Sequence, residues 1–191
     1  MFYYEEVFRS FNKAKVDYVV LGGVAAVLYG VHRTTMDLDI LVDMTSSNID
    51  KFWNLLHKMG YRPKVAVTVE DFKKEENRKF WQKAKNMPFF AKYLSCLASQ
   101  GYPPKLNTKV IQRRWMEVFS FIHPKDNFKI IDILIKDYLQ YNQVKKEFIR
   151  LGRIKVPVLS LAQLKKLKKI AGRNKDLADL DDLRRLEKLT Q

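Results

Sequence analysis

The segment LGGVAAVLYGVHRTTMDLDILVD, at positions 21–43, constrains the fold of this chain more than any other. An apolar run rich in strand-forming residues at 17–21 leads into it and ends at Gly22 and Gly23. Residues 24–31 are small and apolar and predict a helix. Residues 36–43 alternate between polar and apolar, which is typical of a half-buried strand. The sequence therefore predicts a strand, a glycine pair, a helix and a second strand in close succession.

Two carboxylates, Asp37 and Asp39, project from one face of the second strand, because residues i and i+2 of a strand point the same way. Neighbouring carboxylates repel each other, which costs little in water but requires a cation in a partly buried cleft. Mg²⁺ suits such a pair, since it binds through one or two carboxylates together with substrate phosphates. The pair thus indicates either a metal site or the solvated face of a strand.

Two other features favour the metal site. The glycines lie where a strand passes into a helix, and such a junction offers backbone N–H groups to a phosphate that glycine allows to approach closely. Asp132 interrupts the apolar run at 130–135, where an unpaired carboxylate would be expensive to bury. We expect Asp132 to have a metal or another partner, the alternative being a position in an exposed edge strand.

The rest of the chain predicts an α/β (α+β) protein built on a sheet. Residues 61–110 differ from the flanking segments in composition, with many charged residues interrupted by aromatic ones. They are interpreted as a helical insertion with a highly charged helix at 70–85. Further helices are predicted at 2–14, from Ser46 or Ser47 to Met59, at 137–150 and twice after Ser160, with a hairpin at 116–135 and a strand at 154–158.

Charge and cysteine content bear on location and partners. The net charge of +15 suits attraction to a polyanion, nucleic acid before an anionic membrane surface, although a general basic bias of the proteome is the alternative. A single cysteine, Cys96, provides neither an internal disulfide nor a zinc framework, which indicates a reducing cytoplasm. The start of the chain lacks the apolar core of a signal peptide, and the longest weakly charged run is too short to span a bilayer.

The glycine pair, followed after 13 residues by Asp-Leu-Asp, resembles the signature of the DNA polymerase β-like nucleotidyltransferase superfamily. Many members have Gly-Ser where this chain has Gly22-Gly23. The chain looks most like the small prokaryotic members related to AbiEii-type toxins, in which Arg-Thr commonly precedes the second motif, as Arg33-Thr34 does here. The segment LKKIAGRNKDLADLDDL at 167–183 also resembles their closing motif.

This resemblance implies a nucleotidyltransferase fold, a mixed twisted sheet flanked by helices. Residues 1–158 would form the core, including the insertion at 61–110, and residues 159–191 a C-terminal helical segment that completes the active-site cleft. It implies an enzyme that moves an NMP from an NTP to an acceptor hydroxyl with release of pyrophosphate. Two Mg²⁺ ions, with Mn²⁺ as the alternative, would be bound by Asp37, Asp39 and Asp132, and Asp132 would help to activate the hydroxyl. The implied catalytic residues are these three carboxylates and Lys168. The implied nucleotide-binding residues are Gly22, Gly23, Arg33, Lys168, Asp176 and Asp179.

Helical geometry singles out Lys168 independently. The apolar face of the helix after Ser160 includes Leu164 and Leu167, and Lys168 lies only about 60° from the centre of that face. Lys168 is therefore expected to point towards the site, with a snorkelling lysine at the border of the face as the alternative. Arg33 is expected either to contact a phosphate or to form a salt bridge with Asp43 or a helix end.

The acceptor stays open at this point. The positive charge favours RNA, with a tRNA 3′ end first, which would agree with a toxin-like role and an antitoxin protein as partner. Protein adenylylation and nucleotidylation of a small molecule such as an aminoglycoside are alternatives within the enzyme class. The alternative from another class is a basic RNA-binding protein with an inactive transferase fold, motivated by the lysine-rich helices.

Overall fold

A seven-stranded mixed sheet forms the centre of the computed structural model, which describes residues 3–65, 67–83, 118–135 and 139–189. The strand order is β3-β4-β5-β2-β1-β7-β6, in which β2 runs parallel to β5 and β1 parallel to β7, and the other neighbours are antiparallel. The strands are β1 (Tyr18–Leu21), β2 (Asp37–Val42), β3 (Arg62–Pro63), β4 (Val118–His123), β5 (Asp126–Leu134), β6 (Lys146–Leu151) and β7 (Ile154–Leu159).

Helices flank this sheet and bury their apolar stripes against it. In the helix at Ser46–Lys58 the buried side chains of Ile49, Phe52, Trp53 and Leu56 recur at the spacing of one helical face. The α+β class predicted from the sequence is confirmed. The helices of the described residues are α1 (Glu5–Lys13), α2 (Gly22–Leu28), α3 (Ser46–Lys58), α4 (Val69–Lys73), α5 (Glu75–Lys83), α6 (Leu161–Ala171) and α7 (Asn174–Leu189).

The predicted succession of strand, glycine pair, helix and strand is present as β1, α2 and β2. All four residues of β1 are buried, as expected for a strand with neighbours on both sides. Helix α2 begins at Gly22 rather than at Val24, so the two glycines form its first turn. In β2, Leu38 and Ile40 are fully buried whereas Asp37 and Asp39 are only partly covered.

The helix predicted at 137–150 is wrong over its last part, because residues Lys146–Leu151 form strand β6. This strand pairs with β7 over its whole length, and Gly152 makes the turn between them with a φ of +58°. Pairing with a neighbouring strand outweighs the local preference of a half-exposed segment. Its charged and apolar residues alternate irregularly, which gave no clear strand pattern.

The described part of the predicted insertion is joined to the core. Arg62–Pro63 pair with β4 at the edge of the sheet, and the charged helix predicted at 70–85 is split into α4 and α5. Phe72 and Trp81 are buried, with their ring centroids 4.7 and 5.9 Å from that of Phe119 in β4. Residues 84–110 lie outside the described residues, so the limits of the insertion and the division at 158 stay predictions.

Two expectations about the environment of the protein are only partly addressed. Cys96 lies outside the described residues. Along the described chain, no helix combines the length and the apolar character that crossing a membrane requires. The cytoplasmic location stays a prediction.

Candidate active site

Three carboxylates lie on one face of the sheet at the junction of β2 and β5. Asp39 is paired with Asp132 in the parallel register, and Asp37 is paired with Ile130 two positions earlier. Residues opposite each other on neighbouring strands project to the same face, as do residues two apart on one strand. The structure therefore brings together Asp37, Asp39 and Asp132, which come from segments about ninety residues apart.

Asp132 is buried and hydrogen-bonded. Its side chain has a partner in Ser120 of β4, whose Oγ donates to Oδ1 at 2.6 Å, and only 4 % of the residue is exposed. Strand β5 lies between β4 and β2, which excludes the alternative of an exposed edge strand. A buried carboxylate with a hydroxyl donor keeps its position, so the site has one fixed acid beside the more exposed pair on β2.

The glycine pair packs directly against these residues. A Cβ on Gly22 would lie 1.9 Å from Oδ2 of Asp39, and Gly22 has a φ of +69°, so both space and backbone require glycine there. A Cβ on Gly23 would lie 2.6 Å from Oγ1 of Thr35 and 3.3 Å from Nη2 of Arg33. The chain between β1 and α2 is thus in contact with one carboxylate and close to one guanidinium.

A second group of charged residues, here called the charge cluster, lies where α6 and α7 meet this region; it comprises Arg33, Lys168, Arg173, Asp176 and Asp179. Nζ of Lys168 lies 2.5 Å from Oδ2 of Asp179 and 3.7 Å from Oδ1 of Asp176. Nη1 of Arg33 lies 2.5 Å from the same oxygen of Asp179. Arg173 binds Asp176 through Nε at 2.5 Å and Nη2 at 3.2 Å.

The burial of these side chains decides between the sequence-based alternatives. Lys168 is 4 % exposed whereas Lys166 and Lys169 are exposed, so Lys168 points inward and is not a snorkelling lysine. Arg33 forms its salt bridge with Asp179 rather than with Asp43. The prediction that Arg33 contacts a phosphate is not tested by this contact.

Asp176 is ionised despite its burial. Burial by itself raises the pKa of Asp176, but the hydrogen bond and charge of Arg173, followed by the charges of Lys168 and Lys175, outweigh it and hold that pKa below its usual value. At neutral pH the charge cluster therefore contains a carboxylate that holds Arg173 and Lys168 in place.

Arg33 connects the charge cluster to the glycine pair. Its Nη1 contacts Asp179 of α7, and its Nη2 is the guanidinium nitrogen close to Gly23. The side chain is 20 % exposed, so it lies between the buried pair of Lys168 and Asp179 and the solvent. Residues predicted from two distant segments, 21–43 and 167–183, therefore form one continuous region.

The carboxylate face fits magnesium by the chemistry of its donors. Hard cations prefer oxygen ligands, and Asp37, Asp39 and Asp132 supply them on one face. In the described part of the chain, however, no group of three His, Cys, Asp or Glu side chains is arranged so that it could hold a metal ion by itself. Because Mg²⁺ usually keeps water and substrate phosphates as ligands, this arrangement fits an ion that binds together with a nucleotide.

Sequence reasoning missed three residues that support the site: Ser120, Thr35 and Tyr4. Tyr4 is buried, and its hydroxyl contacts the carbonyl oxygens of Met36 and Ile130, the latter at 2.8 Å. It therefore ties β2 to β5 next to Asp37, and burial raises the pKa of its hydroxyl. Alternation in β4 places Ser120 opposite the buried phenylalanines, but only the strand register reveals its carboxylate partner.

A cavity of about 400 Å³ lies elsewhere, where β2 and β5 end. It is lined by the last residues of the two strands, by charged residues of α5 such as Arg78 and Lys79, and by residues 139–142. None of the predicted site residues lines it. This cavity and the carboxylate face are therefore different places.

Comparisons with known proteins bear on the fold. No family model matches the sequence, and no curated protein gives a significant match. Among solved structures, the lincosamide antibiotic adenylyltransferase LnuA, solved with lincomycin bound, is similar with a TM-score of 0.53 and 17 % identity, over 95 % of this chain and 94 % of its own. The chain has the nucleotidyltransferase fold.

A Thermotoga maritima protein, provisionally described as a nucleotidyltransferase, is also similar, with a TM-score of 0.49 and 16 % identity over 93 % of this chain and 87 % of its own. The predicted nucleotidyltransferase fold, a mixed sheet flanked by helices, is thus confirmed by the topology and by the likeness to LnuA. The relationship to AbiEii-type proteins stays a prediction.

Proposed function

We propose that this protein is a metal-dependent nucleotidyltransferase, which moves an NMP from an NTP to an acceptor hydroxyl and releases pyrophosphate. The observation that carries the proposal is the pairing of Asp39 with Asp132 on adjacent parallel strands, with Asp37 on the same face and Gly22 packed against Asp39. A set of carboxylates beside a glycine pair is suited to a triphosphate and its metal ions.

In the proposed reaction, Asp37, Asp39 and Asp132 would hold two Mg²⁺ ions. The metal would supply neutralisation of phosphate charge and alignment of the acceptor hydroxyl. Gly22 and Gly23 let the phosphates approach the backbone. The hydroxyl oxygen forms a bond to the α-phosphorus, the bond to pyrophosphate breaks, and Asp132, held by Ser120, takes up the hydroxyl proton.

The cations of the charge cluster serve the triphosphate in this scheme. Arg33 lies next to Gly23 and presents a planar set of donors suited to phosphate oxygens. Lys168 is buried behind it and adds a second positive charge. The closeness of Arg33 to Gly23, and the carboxylate of Asp179 that Arg33 shares with Lys168, support a nucleotide whose triphosphate reaches from the metal to Arg33.

For the acceptor, the charge of the chain favours RNA, with a tRNA 3′ end as the first candidate. Exposed basic residues, among them Lys166, Lys169 and Lys175, occur on α6 and α7 beside the charge cluster. A toxin-like role with an antitoxin protein as partner agrees with an RNA acceptor and with the resemblance to AbiEii-type proteins.

A small-molecule acceptor is the second candidate. It is favoured by the likeness to LnuA, a lincosamide adenylyltransferase, over 95 % of this chain and 94 % of that one. An enzyme for a small antibiotic should depend little on salt, whereas RNA binding weakens steeply as salt is added because counterions are released from the phosphates.

The test is an incubation of the purified protein with each labelled NTP and Mg²⁺, together with total cellular RNA or with a panel of lincosamides and aminoglycosides. The wild type is expected to label one acceptor class. Asp37→Asn/Asp39→Asn is expected to label none, and the matched control Asp181→Asn, an exposed aspartate of α7, to behave as the wild type.

Transfer that persists in the double variant would contradict the proposal. RNA binding that survives both metal chelation and loss of the carboxylates, without transfer, would indicate the inactive RNA-binding protein instead. Label on protein hydroxyls would indicate adenylylation of a protein.

A further inference from the structure

One carboxylate oxygen in the charge cluster binds two cations. Nη1 of Arg33 and Nζ of Lys168 both lie 2.5 Å from Oδ2 of Asp179. The side chains of Lys168 and Asp179 are each 4 % exposed, so these contacts are shielded from water. Charge-assisted hydrogen bonds are strong in such surroundings. Asp179 therefore acts as an internal anion for Arg33 and Lys168.

Arg33 is at the same time close to Gly23 of the glycine pair. Its Nη2 lies 3.3 Å from the position that a Cβ on Gly23 would take, and its side chain is 20 % exposed, more than those of Lys168 and Asp179. A phosphate that binds beside Gly23 would come within reach of this guanidinium. Arginine binds phosphate best through two parallel donors, which one already engaged with a carboxylate cannot fully provide. Asp179 and a bound phosphate would then compete for Arg33.

Asp176 provides a second carboxylate near the buried Lys168, so that a competition for Arg33 does not leave this lysine without a nearby negative charge. It lies 3.7 Å from Nζ of Lys168 and is itself held by Arg173. When the hold of Asp179 on the cations weakens, Lys168 still has a carboxylate nearby. An exchange of partners at Arg33 would therefore leave no isolated charge in the interior.

We propose that Asp179 is an internal substitute for a substrate phosphate: it holds Arg33 and Lys168 in place while the site is empty and releases Arg33 to the phosphate that binds beside Gly23. Asp179 is then a positioning residue rather than a ligand of the nucleotide. That the phosphate belongs to an NTP rests on the proposed function, whereas the competition rests on the contacts of Asp179.

The two roles of Asp179 predict opposite effects on the binding of phosphate. If Asp179 contacts the nucleotide, its loss weakens binding or leaves the affinity for phosphate alone unchanged. If Asp179 competes with phosphate, its loss strengthens phosphate binding. Inorganic tripolyphosphate is the suitable probe, because it has no base or ribose, and a chelator keeps metal ions out of the measurement.

The experiment is calorimetric titration of tripolyphosphate into the wild type, Asp179→Asn and Asp181→Asn. Asp179→Asn is expected to bind about tenfold more tightly, because one charge-assisted hydrogen bond no longer has to be broken. Asp181→Asn changes the net charge equally on the same helix, but its side chain is exposed and contacts only the exposed Arg184 among the described ion pairs. It should change the affinity by less than about twofold. Adding Arg33→Gln to Asp179→Asn should remove the gain.

Asp179→Asn could also unfold, since it leaves the buried Lys168 and the partly buried Arg33 with less compensation. In that case tripolyphosphate should restore the near-ultraviolet circular dichroism of the variant, because a ligand that binds only the folded state stabilises it. Two outcomes would overturn the proposal. In one, Asp179→Asn stays unfolded in tripolyphosphate; in the other, it folds but binds tripolyphosphate no more tightly than Asp181→Asn does.

The outcome is separable from that of the proposed function, since this titration contains no nucleotide, metal or acceptor. Tighter binding by Asp179→Asn without any detectable transfer would leave the exchange standing and the enzyme activity refuted. Transfer by the wild type with weaker tripolyphosphate binding by Asp179→Asn would leave the activity standing and refute the exchange.

Discussion

Gly22 lies so close to Asp39 that a Cβ at position 22 would lie 1.9 Å from the carboxylate oxygen Oδ2. The glycine pair and the Asp-x-Asp strand are therefore in direct contact through Gly22 and Asp39. The folded state requires a residue without a side chain at position 22. No side chain fits between β1 and β2 at this point unless Asp39 moves.

Gly22→Ala tests this contact, with Gly152→Ala as its matched control. Both glycines have a positive φ, +69° and +58°, so both substitutions should lower the free energy of unfolding by roughly 1–2 kcal/mol. Only Gly22→Ala also displaces Asp39, because nothing lies within 4 Å of a Cβ on Gly152. Displacement of a reacting group by about 1 Å costs on the order of 100-fold in rate. Denaturant unfolding and the transfer assay measure the two effects, and equal activity of the two variants would contradict the contact's role.

Asp39→Asn should separate activity from stability. Asp37, Asp39 and Asp132 share one face, so removing one negative charge relieves repulsion, and Tm is expected to stay the same or rise. Transfer should be lost, because an amide is a poor ligand for a hard cation. Asp39→Asn/Asp132→Asn should be no less active than either single variant, since residues that act as a unit are not additive. A large loss of Tm in Asp39→Asn would instead indicate a structural carboxylate.

Lys168→Met, compared with Lys169→Met, tests the buried lysine of α6. Lys168 is 4 % exposed and paired with Asp179 and Asp176, whereas its neighbour Lys169 is exposed. Removing one member of a buried ion pair costs about 3 kcal/mol of unfolding free energy, and removing an exposed charge costs very little. We expect Lys168→Met to lose stability and NTP affinity and Lys169→Met to retain both, as measured by urea unfolding and by titration of a non-hydrolysable NTP analogue. Equal behaviour of the two variants would contradict the assignment.

The sequence predicted local features of the fold and the site well, but not the contacts between residues that are distant along the chain. The order β1, α2, β2 and the inward direction of Lys168 follow from periodicity, because strands and helices bury residues at fixed intervals. Asp132 was found because a carboxylate in an apolar strand needs a partner. That its partner is Ser120 depends on the register of β4 and β5, which no local pattern contains.

Two other features were beyond a local interpretation. The contact of Arg33 with Asp179 joins residues 146 positions apart, so the sequence offered a phosphate, Asp43 or a helix end as partners and not the residue that pairs with it. Strand β6 was missed because it is stabilised by β7 rather than by its own pattern. Local propensity fails where tertiary pairing decides the conformation.

His57 lies in the last turn of α3, remote in sequence from the site residues. Its ring stacks on Trp53 with centroids 5.7 Å apart, and its Nε2 is buried without a hydrogen-bond partner in the described structure. Burial, followed by the charge of Arg62, lowers the pKa of His57 below its ordinary value of 6.5. The folded state therefore disfavours protonation of this imidazole relative to the unfolded chain.

His57→Phe should keep the stacking and remove the unsatisfied nitrogen, so it should raise the free energy of unfolding by about 1 kcal/mol at pH 8. Above pH 6.5 neither state binds the proton, but below it the unfolded state is protonated first, and the wild type loses stability as the pH falls towards the lowered pKa. The advantage of His57→Phe in unfolding free energy should therefore grow as the pH falls from 7 to 5.

Arg62→Gln should reduce the pH dependence, because it removes the neighbouring positive charge. Thermal unfolding across this range measures both, and an advantage of His57→Phe that is constant with pH would show that the proton is not excluded from His57 in the folded protein.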